Sequence, residues 1–207
     1  MRGAKKSEVP VELVTWLELA NDDWNPSYPF NEPSVRDAVV SALKKAQRDL
    51  CVYCGRKLDY SIPGNSYHIE HFRPQNPYRD LSVSYTNLFL SCGQKDSSGN
   101  PSPTCGSHKG NKFDTNLIIE PIYPDCTSRF SFSPDGSISA SAPEDIAVDY
   151  WIKILRLDHI ELSIERRQLL FLLDAEDISL EDLWDESNQT AGTLAHVAYS
   201  YEGKLLP

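Results

Sequence analysis

Four of the chain's five cysteines and three of its five histidines fall between Cys51 and Lys112, a stretch of 62 residues in a chain of 207. It contains Cys51-Val-Tyr-Cys54, His68-Ile-Glu-His71-Phe-Arg-Pro74, Tyr85-Thr-Asn87-Leu, Cys92 and Cys105-Gly-Ser-His108-Lys109-Gly-Asn111. Thiols, imidazoles and a carboxylate crowded in this way point to metal chemistry rather than to ordinary core packing. An odd cysteine count, no N-terminal apolar leader and no run of about 18 apolar residues predict a reduced, cytoplasmic protein without a membrane span. The cysteines are therefore read as ligands, not as disulfide partners.

Cys51-x2-Cys54 supplies two thiolates from one tight turn, and Cys92 with Cys105 completes a four-cysteine Zn²⁺ shell. The second pair is spaced by twelve residues where two is usual. An alternative shell of Cys51, Cys54, Cys105 and His108 leaves Cys92 free. A closed four-ligand site serves folding, so either shell is structural.

Glu70 and His71 stand side by side at the end of an expected strand, where alternation sends them to opposite faces. That suits a carboxylate that binds a divalent cation and an imidazole kept free to take a proton. A hard cation and one base are enough for phosphodiester hydrolysis: the cation clamps the phosphate and the base activates water. His68, two residues before Glu70, is read first as a packing histidine and second as a ligand.

The order Cys-x2-Cys, acidic-His-x-x-Pro, Asn-Leu-x-x-x-Cys, Cys-x3-Lys-Gly resembles the zinc-containing branch of the HNH (ββα-metal) endonucleases, over Cys51 to Lys112. The resemblance implies a catalytic Mg²⁺ or Mn²⁺ held by Glu70, His71 as general base, and Asn87 holding the hairpin loop and the base. It also matches Pro74 and Lys109, and Arg73 and Lys109 are expected to contact phosphate. The chain departs from the pattern after Cys105: relatives carry His or Asn there, and this chain has Gly106. His108 is the preferred substitute ligand and Asn111 the alternative.

A narrower resemblance covers most of the chain. His-Ile-Glu-His-Phe-Arg-Pro, Tyr-Thr-Asn-Leu-Phe-Leu-Ser-Cys, Cys-Gly-Ser-His-Lys-Gly-Asn, Phe-Ser-Phe-Ser-Pro-Asp-Gly-Ser-Ile and Ile-Leu-Arg-Leu-Asp-His-Ile-Glu-Leu look like the HNH effector of Septu anti-phage systems and their retron-associated relatives. This implies a defence role, nucleic acid as substrate, and an ABC-type ATPase partner. A retron reverse transcriptase with its non-coding RNA/DNA is a further implied partner.

Charge is distributed unevenly. Residues 1–50 hold 7 basic and 8 acidic side chains, 51–112 hold 7 and 4, and 113–207 hold 6 and 18. The motif stretch is thus the basic island of an acidic chain, and tight unaided binding to bulk DNA is not expected. The acidic segment is read either as solvated helix faces or as a partner-facing surface.

The expected fold is α+β: a small zinc-stapled ββα-metal HNH core embedded in N- and C-terminal helices, with an extra β-hairpin after the core. It divides into an N-terminal helical segment (1–50), the core (51–112) and a hairpin plus acidic helical region (113–207). Residues 1–8 read as frayed. A first helix follows Pro10 with Val11, Val14 and Leu17, and secondarily Trp16, at helical spacing, and a second starts at Pro33 and leads to Cys51. Strands are expected near Leu58–Ser61 and Tyr67–Phe72, and an exposed polar insertion over 93–104. A hairpin turns at Pro-Asp-Gly, a long helical region runs from Ala142 to Leu173, and short helices lie at 180–184 and 193–199. Two other functions fit the same residues: a zinc-framed nucleic-acid or protein-binding module without catalysis, and an unrelated zinc protein with a histidine-rich loop.

Overall fold

The computed structural model describes residues 1–61, 66–93, 103–185 and 190–207. Most of the expected polar insertion, residues 94–102, lies outside them. The fold is α+β, with small antiparallel strand pairs set among helices. Among the described residues no helix is long and apolar enough to cross a membrane.

Helix α1 (Val11–Leu17) buries Leu13 and Trp16, while Val11 and Val14 are exposed. The inward face is therefore rotated from the expected Val11–Val14–Leu17 stripe. The reason is aromatic: Trp16 packs edge-on against Trp24 and Phe30, with ring centroids 5.7 and 5.6 Å apart. These contacts hold the Asn- and Pro-rich loop that follows.

Helix α2 (Pro33–Gln47) starts with proline in its first turn, where the missing N–H costs nothing. Val35, Val39, Leu43 and Ala46 form its buried stripe. It ends where Arg48 and Asp49 take positive φ, and the chain turns through buried Leu50 to Cys51. The fully buried Gln47 continues the contact in polar form. Its amide donates to the carbonyls of Leu50 and Leu90 (2.8 Å each) and accepts from the Leu90 N–H (2.7 Å), which satisfies a backbone that a hydrophobic side chain would leave unpaired.

Strand β1 (Tyr67–His71) pairs antiparallel with β2 (Leu88–Cys92), His71 opposite Leu88 and Tyr67 opposite Cys92. The expected strand at 58–61 is not formed; that region contributes an isolated bridge between Leu50 and Lys57. β1 finds its partner in Leu-Phe-Leu-Ser-Cys instead. That segment is buried along nearly all its length, so it lacks the alternation that marks a half-exposed strand. Helix α3 (Cys105–Lys109) packs against β2.

After α4 (Asp125–Ser128), β3 (Phe130–Phe132) and β4 (Ile138–Ala140) form the Pro-Asp-Gly hairpin. Phe130 and Phe132 point into the core and Ser131 outward. Gly136 in its turn has φ +83°, and a Cβ there would collide with the Ser163 carbonyl oxygen, so only glycine lets the turn sit this close to the next helices.

The long helical region is two helices, α5 (Ile146–Leu155) and α6 (Ile160–Asp174), separated where Arg156 takes a left-handed conformation. Asp145 caps α5 by accepting from the Val148 N–H, worth about 1 kcal/mol. Residues 180–183 form turns, not a helix, ahead of the short strand β5 (Trp184–Asp185), which pairs with β6 (Thr190–Ala191). Helix α7 (Ala195–Tyr201) closes the described chain.

The N-terminal residues are not frayed. Met1, Arg2 and Ala4 are buried, and the N–H groups of Arg2, Gly3 and Ala4 donate to the carbonyls of Tyr53, Val52 and Pro121 at 2.9–3.0 Å. This anchoring is backbone pairing, which a polar Arg-Gly sequence does not announce. The segment helps seal a hydrophobic cluster that runs from Met1 to Val197 and includes all three members of the β1–β2–α3 unit.

Candidate functional site

The thiols come together first. The Sγ atoms of Cys51, Cys54, Cys92 and Cys105 all lie within 4.8 Å of one another, with Cys54 and Cys92 at 3.8 Å. A tetrahedral Zn²⁺ with bonds of about 2.3 Å has sulfur–sulfur edges of roughly 3.8 Å, so the cluster fits a metal such as zinc. Cys51 and Cys54 come from the turn after α2, Cys92 from the end of β2 and Cys105 from the start of α3. A metal here would tie together three elements that local sequence alone does not hold. Burial works against ionisation of Cys51, but hydrogen bonds from Cys105, Cys54 and Cys92 outweigh it and push that thiol well down. Cys105 is pushed well up by its bond to Cys51. Stacking four thiolates therefore calls for a cation. The alternative shell with His108 is not formed, because Cys92 occupies the fourth corner. The fifth cysteine, Cys126, is buried elsewhere, against the Met1 carbonyl.

Beside this cluster, β1, α3 and the loop before α2 border a cleft of about 570 Å³ lined by His68, Glu70, His71, Tyr28, Lys109 and Asn111 among others. Glu70 and His71 both border it although they are neighbours in a strand: β1 ends at His71, and the alternation stops there.

Glu70 is nearly enclosed. Lys109 Nζ lies 2.7 Å from its Oε1, Tyr53 Oη donates to the same oxygen at 3.0 Å, and His68 Nε2 lies 3.2 Å from Oε2. Burial pushes the carboxyl up, yet the Lys109 ammonium and the His68 imidazole more than offset this and hold it at about 2. The group is a carboxylate at every physiological pH.

His71 has a different environment. Its Nε2 lies 2.8 Å from the Ser82 carbonyl oxygen. A carbonyl only accepts, so Nε2 carries the proton and Nδ1 is the basic atom of the ring. The Tyr28 ring packs edge-on against the imidazole at 4.6 Å. Burial lowers the His71 pKa, partly countered by the Ser82 carbonyl and by Glu70, so the ring is neutral at pH 7.

Asn87 holds the connection between the strands. Its Oδ1 accepts from the Arg73 N–H at 2.7 Å, and its Nδ2 donates to the carbonyls of Arg73 (3.0 Å) and Leu81 (3.1 Å). The carbonyl that orients His71 belongs to Ser82, one residue beyond Leu81.

Other expected residues lie elsewhere or are engaged differently. His108 does not line the cleft; it sits against Lys112 (Nε2 to Nζ 3.3 Å) and faces the charges of Arg156 and Asp158. The reason is helical phase: three residues after Cys105, it projects from another side of α3 than Gly106 does. Asn111 borders the cleft. Lys109 does not offer its charge to a phosphate, because it is 1% exposed and is satisfied by Glu70 and by the carbonyls of His71 (3.0 Å) and Gly110 (3.2 Å). Arg73 pairs with Glu120 at 2.9 Å on a partly exposed surface. Residues not singled out from the sequence complete the site: Tyr53, between the two zinc-turn cysteines, Tyr28 and Ser82. Tyr53 had a visible signal, since an aromatic carrying a hydroxyl inside a Cys-x2-Cys turn needs a buried polar partner. Ser82 acts through its backbone and had none.

Compared with known proteins, the chain matches no family model and no curated protein.

Proposed function

We propose that the chain is a metal-dependent endonuclease of the HNH type, hydrolysing phosphodiester bonds of nucleic acid, with His71 as general base. The observation that carries this reading is the pairing of two groups of opposite character in one cleft. Glu70 is a permanently ionised carboxylate, and His71 is a neutral imidazole whose Nε2 is tied to Ser82, leaving Nδ1 to take a proton. A divalent cation such as Mg²⁺ or Mn²⁺, when bound, supplies charge stabilisation to the phosphate. The chain's own part is to hold Nδ1 unprotonated at neutral pH, to fix the ring through Ser82 and Tyr28, and to keep the loop after β1 in place through Asn87. Zn²⁺ on the four cysteines is structural in this reading.

The test is His71→Ala in the full chain with Mg²⁺ or Mn²⁺, on both DNA and RNA. Folding and zinc content should persist while cleavage disappears; cleavage at the parent rate would remove the assignment.

A zinc-framed binding module without catalysis is favoured by Gly106, which stands where the nuclease pattern carries a metal-ligating His or Asn. A binder would retain nucleic acid without turnover when Mg²⁺ or Mn²⁺ is titrated.

The Septu-like resemblance adds an assembly: an anti-phage defence complex with an ABC-type ATPase, and in retron-linked systems a reverse transcriptase and its RNA/DNA. Two features support a partner on the C-terminal side. Residues 113–207 carry a net charge of −12, and α5 and α6 expose Ile146, Ile160 and Phe171, each about two-thirds exposed. Removal of ATPase co-purification by charge reversal on this region would support it.

A further inference from the structure

We infer that His68, through Nε2, is the imidazole ligand that joins Glu70 Oε2 in holding the divalent cation, in a seat that Gly106 leaves open. The inference rests on the nuclease reading for the purpose of the metal, and on geometry for the site itself.

Position 106 on α3 points straight at the pair. A Cβ placed on Gly106 would stand 2.4 Å from Glu70 Oε2 and 2.7 Å from His68 Nε2. These atoms cannot simply swing aside, since Glu70 is held by Lys109 and Tyr53 and both side chains are largely buried. The space that any side chain at 106 would fill is thus taken by the imidazole and the carboxylate. His68 and Glu70 lie two apart on β1 and so share one face.

Distances and chemistry agree with two donors on one ion. Two ligands at right angles, each about 2.1 Å from a small divalent cation, stand roughly 3 Å apart; the observed separation is 3.2 Å. Oε1 is already committed to Lys109 and Tyr53, which leaves Oε2 as the donor. His68 Nδ1 is buried without a hydrogen-bond partner, so Nε2 is the nitrogen of this ring that engages the site. His108, the imidazole of α3, is turned to Lys112. Lys109 at 2.7 Å from Oε1 subtracts from the charge that Glu70 presents, so binding is weak until substrate oxygens complete the shell, as is common for Mg²⁺.

The probe is Mn²⁺ added to the zinc-loaded full chain, followed by titration and by pulsed EPR, which detects nitrogen bound directly to the ion. The parent chain should show directly bound nitrogen that persists in His71→Ala and vanishes in His68→Ala. His68→Gln, which keeps a hydrogen bond to Glu70 without an imidazole, should lose the nitrogen signal and weaken binding by about tenfold or more. Zinc content reports folding throughout. Mn²⁺ binding that depends on Glu70 but is unchanged in both His68 variants overturns the inference and leaves the nuclease reading standing, as does a nitrogen signal lost only in His71→Ala. Absence of Mn²⁺ binding by the parent overturns it as well. Binding through His68 with no nucleic-acid cleavage removes the nuclease reading and leaves the metal site.

Discussion

The Lys109 ammonium lies 2.7 Å from Glu70 Oε1, with 1% of one side chain and 7% of the other exposed. A lysine at the end of a short helix thereby reaches under β1 and neutralises the carboxylate at the floor of the cleft. Removing one member of such a pair leaves a buried charge without compensation, at a cost of about 3–5 kcal/mol. Lys109→Met should lose stability on that scale in denaturant unfolding. A loss below about 1 kcal/mol would mean that the pair contributes little.

The same pair makes stability depend on acid. Glu70 is held at about 2 against an ordinary 4.5. A depressed carboxyl contributes stability that is fully present above pH 4.5 and is lost as the pH falls through that value towards 2, for a total of about 3 kcal/mol. Acid also strips zinc from thiolates, so the quantity to follow is the difference between the parent and Glu70→Gln, from pH 7 to pH 3. That gap should narrow as the pH falls; a constant gap would contradict the depressed value.

Tyr28 is placed to set the proton affinity of His71. Its ring covers the imidazole at 4.6 Å, and burial is the main cause of the lowered His71 pKa. Tyr28→Ala should admit water and raise that pKa towards 6.5, measured by NMR titration of the ring. On the nuclease reading the acid limb of the cleavage rate should move upward in pH with it, because a general base works in its neutral form. An unmoved titration would show that other groups supply the burial.

Zinc content should separate the five cysteines into two classes. Cys54→Ser and Cys92→Ser should reduce bound zinc, whereas Cys126→Ser should leave zinc at the parent level. Elemental analysis reads this directly. A structural zinc contributes on the order of 10 kcal/mol to folding, so chelation should unfold the cleft as well as empty the cluster.

The thiol cluster was legible because ligand chemistry is local: a Cys-x2-Cys turn and two later cysteines can be matched without knowing the path between them. The β2 strand was less legible, since Leu-Phe-Leu-Ser-Cys is buried on both faces and carries no period. The α2 stripe was readable from Val35 to Ala46, but its last contact is made by Gln47, a polar residue that replaces a strand partner. Lys109 illustrates a deeper limit. A lysine beside a His-Ile-Glu-His motif reads as a phosphate contact, and only the three-dimensional path shows that its charge is used inward. Likewise nothing in Met1-Arg-Gly-Ala announces burial, because backbone hydrogen bonds to Val52, Tyr53 and Pro121 hold it.

Gly106 and His68 also constrain how this sequence can change over time. A side chain introduced at 106 meets three atoms of Glu70 and His68 closer than 3 Å, and truncation of His68 leaves a hole beside a charged carboxylate. Removing His68 relieves one of those contacts and leaves the two with Glu70, so a side chain at 106 also requires a change at 70. Positions 68, 70 and 106 therefore constrain one another as a trio, and glycine at 106 is fixed by the carboxylate as much as by the imidazole.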